Sequence, residues 1–257
     1  ADGWTKIKPD KHYDWVNQRD ESFYNFIKVG AKKGKKRTAL FKNYSRGLET
    51  ARDVWCYNSS KNDVSKNTEN MLNFYAAEQN RYREYDKELL IDEIKEFVDK
   101  DPSKISWSSS LYSDFHRSKR LNYYPDNIVY GMYRPYSKQW VYLEEGLIHR
   151  VGQMPQCFPQ KNLANRMIYM SGSGNSGKAY SALMVDTCPD LNLQHSGGQG
   201  FPLYLYEPTT NEDDELFASS STSTETQYTR KDAISDEGLA HFQAAYPAKG
   251  EGDSISK

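Results

Sequence analysis

Apolar positions recur at helical spacing along residues 62–101. Met71, Phe74, Tyr75 and Tyr82, then Leu90, Ile94, Phe97 and Val98, fall at three- and four-residue steps. Asp63 or Ser65 is placed to cap the start, and Pro102 stops the end. Eight acids lie between Glu84 and Asp101. The pattern predicts two helices, or one long bent one, with a solvated acidic face that should not touch a polyanion.

The flanking stretches read differently. In 1–27, aromatic residues stand among polar ones, and "ESFYNFIKVG" predicts a short helix ended by Gly30. "AKKGKKR" is a basic loop, and "DVWCYN" is rich in strand formers. "SWSSSLYSDFHRSKRL" predicts a short helix with a basic end. "NIVYGMYRPYSKQWVYLEEG" predicts a β-hairpin turning at "RPYSK". "RMIYMSG", "AYSALMVDT" and "GQGFPLYLYE" are further strands bounded by Gly, Pro or Asn. Residues 209–229 are acidic and of low complexity, which predicts a flexible insertion. "SDEGLAHFQAAYP" predicts a helix capped by Ser235 and stopped at Pro247, with Leu239, Phe242 and Tyr246 on one face. The sum is an α+β fold: a helical and basic N-terminal part, then a mostly antiparallel β-rich part with a C-terminal helix. The expected layout is one domain over 1–247, with a basic mixed lobe (1–61), a helical segment (62–105) and a β-rich lobe (106–247). A polar tail (248–257) follows.

Composition sharpens this picture. Twenty tyrosines and five tryptophans supply much of the burial, each with a polar tip that needs a partner. No apolar run is long enough to cross a bilayer, so no membrane partner is expected. The chain opens on "ADGW" and closes on an unpatterned "AKGEGDSISK", as expected of a piece of a longer polypeptide. Cys56, Cys157 and Cys188 are far apart, without a C-x-x-C. Reduced, buried thiols in a cytoplasmic protein are expected. Five scattered histidines predict no metal site. The net charge of −1 hides an asymmetry: residues 1–150 carry 27 basic and 22 acidic side chains, residues 151–257 carry 7 and 13. Within 28–52, nine basic residues face Glu49 alone, and a local basic surface of this kind attracts a polyanion.

"GSGNSGKA" (172–179) nearly spells a nucleotide-binding loop. Ala179 stands where that loop needs a magnesium-binding hydroxyl, and the segment after it is too short for the helix such a loop opens. A Gly-Ser-Asn loop between two strands is the reading that fits. No G-x-S-x-G, H-E-x-x-H or S-x-x-K set occurs, and Glu144 and Glu145 read as solvated charge at a hairpin end. A carbohydrate- or peptide-binding module, suggested by the aromatic content, lacks the secretion signal and disulfides that would favour it.

Seven strings in order carry a resemblance: "WVNQRDESFYNFI", "LFKNYSRGLETARDVWCYN", "YGMYRPYSKQWVYLEE", "QMPQCFP", "SGSGNSGKAYSALMVDTCPDLNL", "GGQGFPLYLYE" and "SDEGLAHFQAAYP". Together they resemble the C-terminal specificity domain of Type ISP restriction–modification enzymes, from about Trp4 to Pro247. The resemblance implies a non-catalytic target-recognition domain that binds double-stranded DNA. It implies a chain that begins just after a methyltransferase core and stops before the family's last helical segment. Nuclease, helicase motor and N6-adenine methyltransferase would lie upstream in the same polypeptide. S-adenosylmethionine, ATP and magnesium would serve those parts, and this chain would hold no cofactor. A domain that only docks methyltransferase against motor, without base preference, is the alternative.

Such a domain must hold backbone with cations and read base edges with Arg, Lys, Asn or Gln. The candidates for backbone holding are Lys32, Lys33, Lys35, Lys36 and Arg37, with Arg117, Lys119 and Arg120. Candidate readers project from turns: Arg46 and Arg52 in "SRGLETARD", Arg134, Lys138 and Gln139 in "YRPYSKQ", Asn175 and Lys178 in "SGSGNSGK", His195 and Gln199 in "HSGGQG". Two of them have ordinary structural alternatives: Arg134 pairing with Glu144, and Arg52 pairing with Asp53 or Glu49.

Overall fold

In the computed structural model, the described residues are 3, 6–9, 13, 15, 21–31, 39–85, 87–159, 163–172, 179–194, 197–209, 227–248 and 250. A 3-10 helix at Glu21–Asn25 precedes β1 (Lys28–Gly30), β2 (Ala39–Phe41) and β3 (Ser45–Arg46). Then come α1 (Asp53–Cys56), β4 (Tyr57–Asn58), α2 (Lys61–Arg83), α3 (Ile91–Phe97) and α4 (Ser109–His116). The hairpin β5 (Ile128–Arg134) and β6 (Ser137–Tyr142) leads to α5 (Met154–Cys157), β7 (Met167–Met170), β8 (Ala182–Val185) and β9 (Cys188–Pro189). The chain continues as β10 (Gln199–Pro202), β11 (Tyr204–Pro208), β12 (Tyr228–Asp232) and α6 (Asp236–Ala245). The fold is α+β.

Local chemistry accounts for most elements. Ser60, in extended backbone, caps α2 by accepting from the Asp63 amide at 3.2 Å, in place of the expected Asp63 or Ser65. Val64, Thr68, Met71, Leu72, Tyr75 and Gln79 form the buried stripe of α2. Ser235 caps α6 as the sequence predicts, accepting from the Gly238 amide at 2.9 Å. Two expectations give way. "DVWCYN" forms one helical turn before two strand residues, because Trp55 and Cys56 must both enter the core. "ESFYNFIKVG" ends as strand β1, paired in parallel with β2.

Two four-stranded sheets hold the centre. One has the order β3-β10-β7-β8 and is antiparallel throughout. The other has the order β4-β6-β5-β9, with β9 parallel to β5. β3 and β4, from the first sixty residues, pair with strands of the later part, so front and back share both sheets. One apolar core runs from α2, α3 and α4 through both sheets. Three of its largest fully buried side chains are tyrosines. Tyr75 donates to the Lys119 carbonyl at 3.1 Å, Tyr142 to the Asn122 carbonyl at 3.3 Å, and Tyr169 to the Leu191 carbonyl at 2.9 Å. Each polar tip is thereby satisfied. Burial pushes the thiols of Cys56 and Cys157 up to about 12 and holds Cys188 in the protonated form as well.

The sheets are stitched where the segment leaving β3 crosses the segment leaving β9. The Leu48 amide donates to the Pro189 carbonyl at 2.8 Å, and the Leu191 amide to the Leu48 carbonyl at 2.8 Å. A Cβ on Gly47 would lie 2.5 Å from the Asp190 carbonyl carbon and oxygen, so only glycine admits this approach. Gly47→Ala is expected to destabilise the chain by about 2 kcal/mol through overpacking. That corresponds to a Tm lower by roughly 4–8 °C. A thermal melt matching wild type would show that the crossing can yield.

Candidate nucleic-acid interface

Arg46 and Gln199 lie far apart in the sequence and face each other as register partners of β3 and β10. Arg46 is exposed, and no ion pair holds it among the described residues. Both line a cleft of about 270 Å³ with Tyr44, Glu49, Arg150 and Gln153. Ser45 fixes its shape: the Ser45 hydroxyl accepts from the Gln153 amide at 2.8 Å and donates to the Arg46 carbonyl at 2.8 Å. Arg150 and Glu49 exchange two backbone hydrogen bonds, and the Arg150 guanidinium reaches the Glu49 carboxylate at 3.1 Å.

Three longer segments leave strands or residues next to those that line this cleft. Gly172 lies so close to the Gly197 carbonyl that a Cβ would meet it at 2.2 Å, so the 172–179 and 194–198 segments touch at their bases. Gly30 packs on Tyr44 and Phe201, which sets the stem of the basic 32–38 stretch beside Tyr44 in the cleft wall. Lys32, Lys33, Lys35, Lys36, Arg37, Asn175, Lys178 and His195 lie outside the described residues, as does most of the predicted 209–229 insertion. β7 and β8 are antiparallel neighbours across 171–181, with strand rather than helix after Ala179. That hairpin geometry excludes a nucleotide-binding loop.

A second cleft, about 450 Å³, adjoins the first and shares Glu49 with it. Thr50, Asp53, Asp190 and Asn192 are among its walls. Asp190 is buried and accepts from Arg134 Nη1 at 2.8 Å and from the Asn192 amide at 2.8 Å. Burial raises its carboxyl to about 6, against the lowering effect of those donors. Arg134 also lies 3.9 Å from Asp53 and stacks over the Tyr133 ring at 3.8 Å. Its partner is therefore Asp190, brought in by β9, and not the Glu144 that sequence proximity suggests.

The other candidates separate. Arg52 is buried, at 2% exposure, and donates to the Ser106 carbonyl at 3.3 Å and to the Ser108 hydroxyl at 2.6 Å. It contributes to the wall of the second cleft, but its guanidinium is engaged in bracing the start of α4, and no ion pair joins it to Asp53 or Glu49 among the described residues. Arg117 and Lys119 pair with Asp114 at 3.2 and 3.4 Å. The Lys119 carbonyl is bound to α2 through Tyr75 and Gln79, so this basic end belongs to the helical side. Arg120 is exposed beside them, and none of the three lines either cleft. Lys138 pairs with Asp186 at 2.8 Å, and Gln139 is half-buried in β6. Arg150 and Gln153 were not predicted. Their signal was the glycine within "HRVGQ": Gly152 has a φ of +59°, and a Cβ there would strike the Ser45 hydroxyl at 2.6 Å.

Asp190 gives a pH signature. Between about pH 4 and 6 the folded chain keeps a proton that the unfolded chain has released. Ionised Asp190 therefore opposes folding fully above about pH 6, and this opposition fades as pH falls toward 4. The Tm of wild type relative to Asp190→Asn is expected to rise by a few degrees from pH 7 to pH 5, as read by differential scanning calorimetry. A difference that stays flat across that window would remove the assignment.

The family model of the Type ISP C-terminal specificity domain matches residues 39–257. No curated protein matches the chain. Among solved structures, a nuclease-deletion mutant of the Type ISP restriction-modification enzyme LlaGI, in complex with a DNA substrate mimic, is similar with a TM-score of 0.75 at 29% identity. The match covers 95% of this chain and 21% of that one. The DrdV–DNA complex matches with a TM-score of 0.73 at 25% identity, over 94% of this chain and 22% of that one. The ATP-dependent Type ISP enzyme LlaBIII bound to DNA matches with a TM-score of 0.71 at 32% identity, over 97% of this chain and 15% of that one. The chain thus spans about a fifth or less of each solved enzyme. Its own fold and the extent of the family match lead to one assignment: the chain belongs to the Type ISP C-terminal specificity domain family.

Proposed function

We propose that this chain is the DNA-reading part of a larger restriction–modification polypeptide. It would position a duplex target for an N6-adenine methyltransferase and an ATP-dependent nuclease–helicase carried elsewhere in that polypeptide. S-adenosylmethionine, ATP and magnesium belong to those parts, and the expected compartment is the cytoplasm. The observation that carries the reading is the Arg46–Gln199 cleft, an exposed guanidinium and an amide on adjacent strands beside the stem of a basic loop. Arginine pairs bidentately with guanine O6 and N7, and glutamine with adenine N6 and N7. Both are aimed from a sheet, which holds them more firmly than a loop would. Arg150 contributes a phosphate contact or, released by Glu49, a base contact. The lysines of 32–38 supply sequence-independent backbone attraction. The solved relatives are DNA complexes, which supports the same reading.

Anisotropy titrations against duplexes enriched from a random pool test this. Wild type should bind with an affinity that falls steeply with salt. Arg46→Ala should lose roughly 1–3 kcal/mol at one base-pair position and relax selectivity there. Replacing Lys32, Lys33, Lys35 and Lys36 by alanine should weaken all sequences alike and reduce the salt slope by about one for each phosphate no longer neutralised. Absence of binding at low salt would refute the reading. Binding without any base preference would favour a docking domain.

A further inference from the structure

Arg134 pairs directly with Ser137, so the turn joining β5 to β6 consists of Pro135 and Tyr136 alone. Proline presets the first central position of such a turn. The second central residue, Tyr136, has a φ of +60°. Glycine or asparagine ordinarily occupies that left-handed position, and a bulky aromatic residue there is strained. Packing does not compensate the strain: the Tyr136 side chain is 89% exposed and belongs to neither hydrophobic cluster.

Beneath this ring the hairpin is braced. Arg134 is held by Asp190 and Asp53 and stands 3.8 Å over the ring of Tyr133, whose hydroxyl donates to Asp53 at 3.3 Å. Lys138 is tied to Asp186 across to the end of β8. The turn therefore presents one exposed aromatic ring, on a costly backbone conformation, at the end of a braced arm beside the second cleft. Backbone strain kept at an exposed, rigidly supported position points to use by a ligand.

We propose that Tyr136 is a stacking wedge, whose ring inserts at, or lies against, one base step of the bound duplex. The inference rests on the DNA-reading function above. Every base offers a π-face, so such a contact tolerates sequence, and an inserted side chain partly unstacks the step it enters. Tyr136 adds what the clefts do not: a local distortion of the helix, of the kind that lowers the cost of moving a base out of the stack.

The test compares Tyr136→Gly and Tyr136→Phe with wild type, on selected duplexes carrying a single 2-aminopurine at successive positions. Wild type should raise 2-aminopurine fluorescence at one step. Tyr136→Gly should melt at the same or a higher temperature, since glycine relieves the strain. It should bind roughly ten- to a hundredfold more weakly and lose the fluorescence rise, with an unchanged salt slope. Tyr136→Phe should keep affinity and signal, because the ring and not the hydroxyl does the stacking. Equal binding and an equal fluorescence profile for Tyr136→Gly would overturn the wedge and leave the DNA-reading function standing. A Tyr136→Phe variant that fails like Tyr136→Gly would overturn it too, in favour of a hydroxyl contact. Wild type that binds no duplex would overturn both.

Discussion

The close passage of Gly47 across Asp190 is the constraint on which the rest of the fold turns. Two backbones meet there with no room for a side-chain carbon, and their amides and carbonyls satisfy each other through Leu48, Pro189 and Leu191. Each side of the crossing continues a different sheet: β3 leads in from one, β9 from the other. β3 enters the crossing directly from its pairing with β10, so the crossing sets where the Arg46–Gln199 pair stands relative to the other sheet. Tyr169 reinforces the joint from within β7 by donating to the Leu191 carbonyl. A site assembled from two distant segments is only as rigid as the contact that sets their separation.

The same crossing buries Asp190, and a buried carboxylate must find a cation or give up its charge. Arg134 supplies the cation from the end of the β5–β6 hairpin. The same guanidinium stands over the Tyr133 ring and within 3.9 Å of Asp53, so the pair ties the end of the hairpin to both α1 and the segment after β9. Breaking such a pair from one side is worse than replacing both partners, because the remaining charge is stranded. The pair is therefore better understood as a device for fixing orientation than as a source of stability.

Much of the architecture was legible from local pattern. The β5–β6 hairpin, the α2 stripe and the Ser235-capped α6 follow from periodicity and capping chemistry, which act over a few residues. Sheet order was not legible, since β3 and β10 are short and their pairing depends on segments far away in sequence. Arg52 shows the same limit at a candidate site residue. Asp53 and Glu49 were its nearest acids along the chain, yet its partners are a carbonyl and a hydroxyl from the turn before α4. Of the candidate readers, Arg46 and Gln199 share a cleft through tertiary pairing alone. Arg150 and Gln153 escaped notice because neither stands in a charge run. What marks them is a glycine whose positive φ and close contact become visible only in three dimensions.

The distribution of rigidity has a functional logic. Recognition of a base edge requires a donor held within a fraction of an ångström, whereas attraction to phosphate requires only nearby positive charge. Arg46 and Gln199 sit on paired strands, the Gln153 amide is held by the Ser45 hydroxyl, and a Cβ at neighbouring Gly47 or Gly152 would clash. The densest basic stretch, 32–38, instead joins β1 to β2, short strands anchored through Phe41 and Phe201. The proposed readers Arg46 and Gln199 can change identity without disturbing the crossing, since neither belongs to the apolar core. A scaffold of this kind can acquire a new target sequence by substitutions at a few exposed sites while the buried Asp190–Arg134 pair and the Gly47 passage stay fixed.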